Sequence, residues 1–450
     1  MNLATIAWKS IRQRGLASSL TALSVALGVM LMVAVLVIWG ILQSTFSQRA
    51  INYDLIVGAQ GDPLQLVLGT VYHISPPIAN LPYRYYLEMK NDVRVTHAIP
   101  VAMGDTTEKG GFAIVGTVPE FFDIHYAPKK EFQVKGNIFR RPFDAYIGDR
   151  VARVNGWDVG TKLKLVHGGA EAHVHNEEFE VVGLLAPTGT PHDKTVYVNL
   201  EGFYQIQGHD KPLKEAIVRE RKFFGEPALN AEQLAEEVAN IEKKYGTHNH
   251  DHDHGGGDHH GHVHKLPDLQ KEVTSILLQC KSPIAANLLA GELKKGNQAQ
   301  GVNPIVPMQK LLTEFLGPVQ MLLMLLTSLI VLVSGIGIFV SIYNSMSARR
   351  REIAIMRALG AQRGTVLSII LAESVILCVG GGLLGLLFGH GLVFAATPFI
   401  AAKTGLIVDP WAFSPFELIL FPVLFGLGVL IGLLPGLTAY QTDVAEALGG

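Results

Sequence analysis

Eighteen residues, THNHDHDHGGGDHHGHVH (247–264), hold eight histidines (His248, His250, His252, His254, His259, His260, His262 and His264) and three aspartates. Neutral imidazoles and carboxylates are ligands for zinc, with copper and nickel as alternatives. Their irregular spacing around three consecutive glycines predicts several weak, exchanging sites instead of one tetrahedral centre. Zn2+ is therefore a candidate ligand here, and no cofactor is required. Such a composition cannot build a packed core, so the competing reading is an insertion tolerated in a surface loop. His173 and His175, with His167 across an expected hairpin, fall on one face of a strand pair. They are a candidate second metal site, set against a default of exposed strand residues. Glu373, an acidic group at membrane depth, is a functional candidate by its position, with a structural or interfacial role expected over proton coupling. His390 has no obvious sequence partner and reads as a satisfied interior histidine. No catalytic constellation and no GxxxxGK[ST] phosphate loop occur in the chain, so it reads as non-enzymatic.

The elements that must position these groups are set by where the apolar residues lie. The 450 residues are 48% hydrophobic and only 17% charged, with a formal charge of −2 and a mean hydropathy of +0.28. A soluble domain carries about 25% charged residues. Four segments account for the difference: residues 15–48, 316–348, 374–402 and 418–442 contain no Asp, Glu, Lys or Arg. Each exceeds the roughly 20 apolar residues needed to cross a bilayer as a helix. The near-neutral charge excludes the footprint of a nucleic-acid binder. Cys280 and Cys378 fall on different sides of a span boundary, and both read as free thiols.

Lys9, Arg12 and Arg14 precede the first span, and Arg349, Arg350, Arg351, Arg357 and Arg363 lie between the second and third. The positive-inside bias puts both regions in the cytoplasm. The first apolar run is too long for a cleavable signal, has no small-residue cleavage site, and reads as an uncleaved anchor. The expected fold is an integral membrane α-helical protein of four transmembrane helices, with a large extracytoplasmic α+β domain inserted between helices 1 and 2. Its segments are a cytoplasmic start (1–15), span one (16–45), the outer domain (46–315), span two (316–344), a cytoplasmic coupling helix (345–363), span three (364–398), a short outer loop (399–415), span four (416–440) and a cytoplasmic tail (441–450). Within the outer domain, 112–118, 144–152, 161–169, 178–186 and 194–200 read as strands bounded by turn residues. Asn230 with Gln233 reads as the capping box of a helix carrying Leu234, Val238, Ile241 and Tyr245 on one face. Ser282 before Pro283 opens another helix through Leu288, Leu289 and Leu293, and 306–317 reads as a stalk into span two.

The Arg-rich loop carries the most specific pattern. SARRREIAIMRALGAQRGTV (347–366) predicts a short amphipathic helix with Ile353, Ile355, Met356 and Leu359 apolar and Gly360 as terminator. A basic membrane-surface anchor would show the same amphipathicity. The motif built from Ser347, Arg351, Glu352, Ile353, Ala354, Arg357, Ala358, Gly360 and Ala361 resembles the cytoplasmic signature of the MacB/FtsX/LolC permeases, the type VII ABC transporters. One long outer domain between spans one and two, three spans at the C-terminal end, LATIAWKSIRQRGLASSLTALSVALGV (3–29) and VAEALGG (444–450) extend the resemblance over most of the chain. The tail lacks the basic residue common in that family, and the His-rich segment is unusual for it. The resemblance implies a permease half working with a second permease copy, in a homodimer or heterodimer. It also implies a separate cytosolic ABC ATPase gripping Arg351, Glu352, Ile353, Met356, Arg357 and Gly360. Its motion would pass to the outer domain as mechanical work, with a periplasmic adaptor or substrate protein as a further partner and lipid around the spans. Two other classes compete: a membrane-anchored metal sensor or scaffold recruiting a non-ATPase partner, and a secondary transporter using Glu373. Four spans without an internal repeat argue against the last.

Overall fold

The computed structural model describes residues 3–45, 52–167, 174–206, 208–245, 266–348, 350–404, 411 and 413–441. The chain divides into two compact units, Met1–Ser44 with Leu312–Gly450, and Thr45–Leu311.

In the first unit a short helix, Leu3–Gln13, precedes the long apolar helix Gly15–Thr45. Helices Gly317–Ala348, Arg363–Thr404 and Pro415–Gln441 supply the other apolar elements. By length and composition, four helices among the described residues suffice to cross a membrane. They meet around Val25, Val29, Val33, Ile338, Ile370, Leu377 and Ile431. Close approach is set by small residues: a Cβ built on Gly385 would lie 2.6 Å from the Ala26 carbonyl, and one on Gly381 2.8 Å from that of Ala22. Gly381, Gly385 and Gly389 thus form one stripe, four residues apart, against helix Gly15–Thr45. These three glycines pack inside the chain. His390 has the partner its sequence context did not reveal, since its Nε2 lies 3.0 Å from Glu417 Oε2 and the pair is buried.

The second unit is built from strands β1 (Leu55–Ala59), β2 (Leu81–Pro82), β3 (Val95–Thr107), β4 (Ala113–Thr117), β5 (Val134–Gly136), β6 (Asp144–Ile147), β7 (Lys162–His167), β8 (Val174–Leu185), β9 (Val196–Asn199), β10 (Glu272–Val273), β11 (Ser275–Cys280) and β12 (Ala299–Val302). β2 and β10 pair alone. The other ten run in the order β12-β1-β11-β3-β4-β9-β6-β8-β5, and β7 pairs with both β3 and β8. That double pairing closes β3, β4, β9, β6, β8 and β7 into a ring, which removes their free edges. Its interior is filled by Ile114, Ile147, Leu163, Leu165, Phe179, Val181, Val196 and Val198, each 3% exposed or less.

Local signals explain the helices of this unit. Asn230 and Gln233 exchange hydrogen bonds, Gln233 N donating to Asn230 Oδ1 at 2.8 Å and Asn230 N to Gln233 Oε1 at 3.1 Å, at the head of helix Ala231–Tyr245. Ser282 Oγ accepts from Ala285 N at 3.2 Å and caps Pro283–Lys295, which buries Leu289 and Leu293 but leaves Leu288 exposed. The segment 144–152 is not one strand: β6 ends at Ile147 and Asp149–Asn155 is helical. Gly148 makes that corner, where a Cβ would stand 2.3 Å from the His192 carbonyl oxygen. The segment 306–317 is helical over Ile305–Lys310 and then π-helical over Leu311–Leu316.

Candidate functional site

The candidates of the Arg-rich loop, with Glu373, lie in the first unit. Helix Arg350–Ala358 carries Arg351, Glu352, Ile353, Met356 and Arg357. It stops at Gly360, whose φ of +102° suits glycine, with Gly360 N donating to Arg357 O at 3.0 Å and Ala361 N to Met356 O at 3.0 Å. The expected single apolar face is in fact two. Ile353 and Ala354 are buried and Met356 packs beside them, whereas Ile355 is 46% and Leu359 84% exposed. Four apolar residues within seven positions span more of the helix circumference than one neighbouring surface covers.

A cavity of about 200 Å³ lies behind the buried face, lined by Ser10, Arg14, Met346, Ile353, Met356 and Glu373 among others. There Glu373, 4% exposed, forms an ion pair with Arg14 and accepts from Ser10 Oγ at 3.1 Å. Arg14 also donates through Nη1 to the Ser341 carbonyl at 3.3 Å. Glu373 thus joins helix Arg363–Thr404 to Ser10 and Arg14, and Arg14 in turn reaches helix Gly317–Ala348.

The extracytoplasmic candidate lies in the second unit. The eight histidines of 247–264, and His173, lie outside the described residues. His167 and His175 come together at one end of the ring's apolar core, joined by Asp105 and His209, which sequence reasoning missed. Parity explains the first two: Leu163, Leu165 and His167 share a face of β7, and His175, Phe179 and Val181 share a face of β8. Asp105 is the cross-strand partner of His167 in the β3–β7 ladder. It sits where the register of β3 with β4 shifts, between Met103 and Thr106, beside Gly104 at φ +154°; an irregularity of this kind re-aims a side chain. His209 follows the short helix Leu200–Phe203 that succeeds β9, its amide donating to the Ile206 carbonyl at 3.1 Å, and its ring packs 4.3 Å from Phe203, centroid to centroid.

One donor atom from each of the four residues lies within 4.8 Å of the others. His167 Nδ1 is 3.0 Å from Asp105 Oδ1 and His209 Nε2 is 3.0 Å from Asp105 Oδ2. The side chains of Asp105 and His209 are 1% and 4% exposed, and that of His167 is 54%. His175 is buried too, against the expectation of exposed strand residues. Burial, with the neighbouring His209 next, lowers the His175 pKa and favours the neutral imidazole that binds metals. Despite the short distances, neither Asp105 oxygen accepts a well-directed hydrogen bond among the described residues.

Comparison with known proteins places this architecture. Residues 18–240 match the MacB-like periplasmic core domain and residues 324–444 the FtsX-like permease C-terminal domain. A macrolide export ATP-binding/permease protein MacB from Syntrophobacter fumaroxidans is 25% identical over 482 aligned positions, covering 98% of this chain and 62% of that protein. An uncharacterized ABC transporter permease, YknZ of Bacillus subtilis, is 39% identical over 119 residues, 26% of this chain and 28% of that one. The chain thus spans less than two thirds of the length of these curated relatives. The crystal structure of the periplasmic region of MacB from Actinobacillus actinomycetemcomitans covers 58% of this chain and 94% of its own, at a TM-score of 0.31 and 10% identity.

Proposed function

The chain belongs to the MacB/FtsX family of ABC transporter permeases, multi-pass proteins of the inner membrane, and from that premise we propose that it is a non-catalytic type VII permease subunit whose helix Arg350–Ala358 is gripped by a separate cytosolic ABC ATPase. The supporting observation is the division of that helix. Ile353 and Ala354 fix one side within the membrane unit, while Ile355 and Leu359 present apolar surface on the other. A docked ATPase buries the second pair, and Arg351, Glu352 and Arg357 add the charges that set register. Two permease copies bring two such helices to two ATPase subunits.

ATP-driven closure then tilts the helices flanking the loop, and the outer domain performs mechanical work on a substrate or adaptor at the extracytoplasmic face. The residue types of 247–264 link that work to zinc or another divalent metal, since imidazole and carboxylate ligands collected on the outer domain raise the local metal concentration. The test is whether a cytosolic ABC ATPase of the source cell co-purifies with the wild type and with Ile355→Glu/Leu359→Glu. Loss of the ATPase from the variant, with the permease still folded in the membrane, supports docking at this face. Full association in the variant overturns it, and association with a kinase or no ATPase favours a membrane-anchored metal sensor.

A further inference from the structure

We propose that Asp105, His167, His175 and His209 form a built divalent-metal site that takes Zn2+, at the seam where β7 closes the six-stranded ring onto β3. The inference shares with the metal-linked reading above only the choice of ion. Its geometry owes nothing to segment 247–264 and nothing to ATPase docking.

Three observations carry it. The first is composition: three imidazoles and one carboxylate are a zinc donor set, and four donors complete a tetrahedron. Zinc bonds of roughly 2.0–2.1 Å put neighbouring ligand atoms about 3.3 Å apart; the two Asp105–imidazole separations are 3.0 Å and all four donors fall within 4.8 Å of one another, so side-chain rotations suffice to seat the ion.

The second is the state of Asp105. Its carboxylate is 1% exposed, and neither oxygen accepts a well-directed hydrogen bond, although an imidazole nitrogen stands 3.0 Å from each. A buried charged group in that condition is costly and calls for an explanation. Nitrogens that lie close to the oxygens but are not aimed at them are what ligands directed at a shared centre would show. The His209 Nε2 atom has the same character, buried and 3.0 Å from Asp105 Oδ2 without a well-directed hydrogen bond.

The third is placement. The four ligands come from β3, β7, β8 and the loop after helix Leu200–Phe203, so a bound ion cross-links segments distant in sequence. Asp105 and His209 are locked in the interior, whereas His167 is 54% exposed. Zinc therefore enters and leaves on the His167 side, making this an exchangeable site open to the extracytoplasmic solvent.

The test uses the full chain in detergent, in four forms: wild type, a deletion of 247–264, and that deletion combined with His167→Ala or Asp105→Asn. Each is stripped with chelator, loaded with Zn2+, Co2+ or Cu2+, and desalted. The 247–264 deletion should retain one zinc per chain by elemental analysis, show the intense visible absorption of tetrahedral Co2+, and melt at a higher temperature with zinc than without. His167→Ala should bind at least about 100-fold more weakly, above the 10–100-fold seen for changes one shell further out. Because that side chain is exposed, the metal-free variant should melt as its parent does. No retained zinc in the 247–264 deletion overturns the site, as does undiminished binding in both combined variants. Retention of Cu2+ with Zn2+ excluded overturns the assignment of the ion. None of these outcomes depends on whether an ATPase co-purifies.

Discussion

Glu373→Gln removes the negative charge from the junction of Ser10, Arg14 and Glu373 while preserving its shape. Arg14 then keeps a guanidinium 21% exposed beside a neutral amide. Two unit charges at ~4 Å and an effective dielectric near 20 attract by about 4 kcal/mol, and stripping one partner from a buried pair costs about 3–5 kcal/mol. The 3.1 Å bond from Ser10 to Glu373 Oε2 survives as a weaker, neutral one. At about 2–4 °C per kcal/mol, the variant should melt roughly 10 °C lower in detergent. Arg14→Gln should lose a similar amount, because it strands the carboxylate. The double variant Arg14→Gln/Glu373→Gln should recover most of the loss, since a neutral amide pair carries no buried charge. The assay is a double-mutant cycle on thermal unfolding of the purified permease, with transport measured in parallel. Additive single losses without recovery would refute the reasoning. Full stability of Glu373→Gln with abolished transport would restore the proton-coupling role.

Gly385→Leu should separate helix Arg363–Thr404 from helix Gly15–Thr45, because the Cβ alone already lies 2.6 Å from the Ala26 carbonyl; overpacking of this kind costs about 1–3 kcal/mol, read as a lower melting temperature. Arg357→Glu should dissociate the ATPase in pull-down while the permease remains in the membrane fraction, and retained association would count against the docking face. The outer domain should lose stability as pH falls from about 6.5 towards 4. Burial, with the neighbouring His73 adding to it, lowers the His192 pKa to about 3, and burial lowers that of His73 to about 4 against a partial offset from the Gly69 carbonyl. The unfolded chain therefore takes up protons near pH 6.5 that the folded one refuses. Each group adds at most about 1.4 kcal/mol per pH unit, the ceiling for one full proton of difference between the two states. A melting temperature independent of pH over that window would contradict the neutral burial of these rings. Cysteines placed at Asp210 and Arg350 should label from opposite sides of the membrane, and labelling from one side alone would overturn the topology.

What the chain reveals before folding is what a few adjacent residues settle among themselves. The Asn230–Gln233 box, the Ser282 cap and the Gly360 terminator each need only one helical turn, and the uncharged spans need only composition. The segment 144–152 misleads for the complementary reason: Asp-Ala-Tyr-Ile and Asp-Arg-Val-Ala are equally plausible strand ends. What separates them is the His192 carbonyl against Gly148, 44 positions further on. The histidine cluster divides along the same line. Alternation on β7 and β8 puts His167 and His175 on one face, as the sequence implies. Asp105 and His209 join them only through the ring of strands, which no short window encodes. Yet that ring also shows why the cluster needs explaining. Leu163, Leu165, Phe179 and Val181 run along the same inward faces and end at His167 and His175, so an apolar side chain would complete the core at less cost than a carboxylate among imidazoles. Ligand types where packing alone would favour leucine or valine are what selection for a bound ion leaves behind. A core that merely had to close would have no use for Asp105.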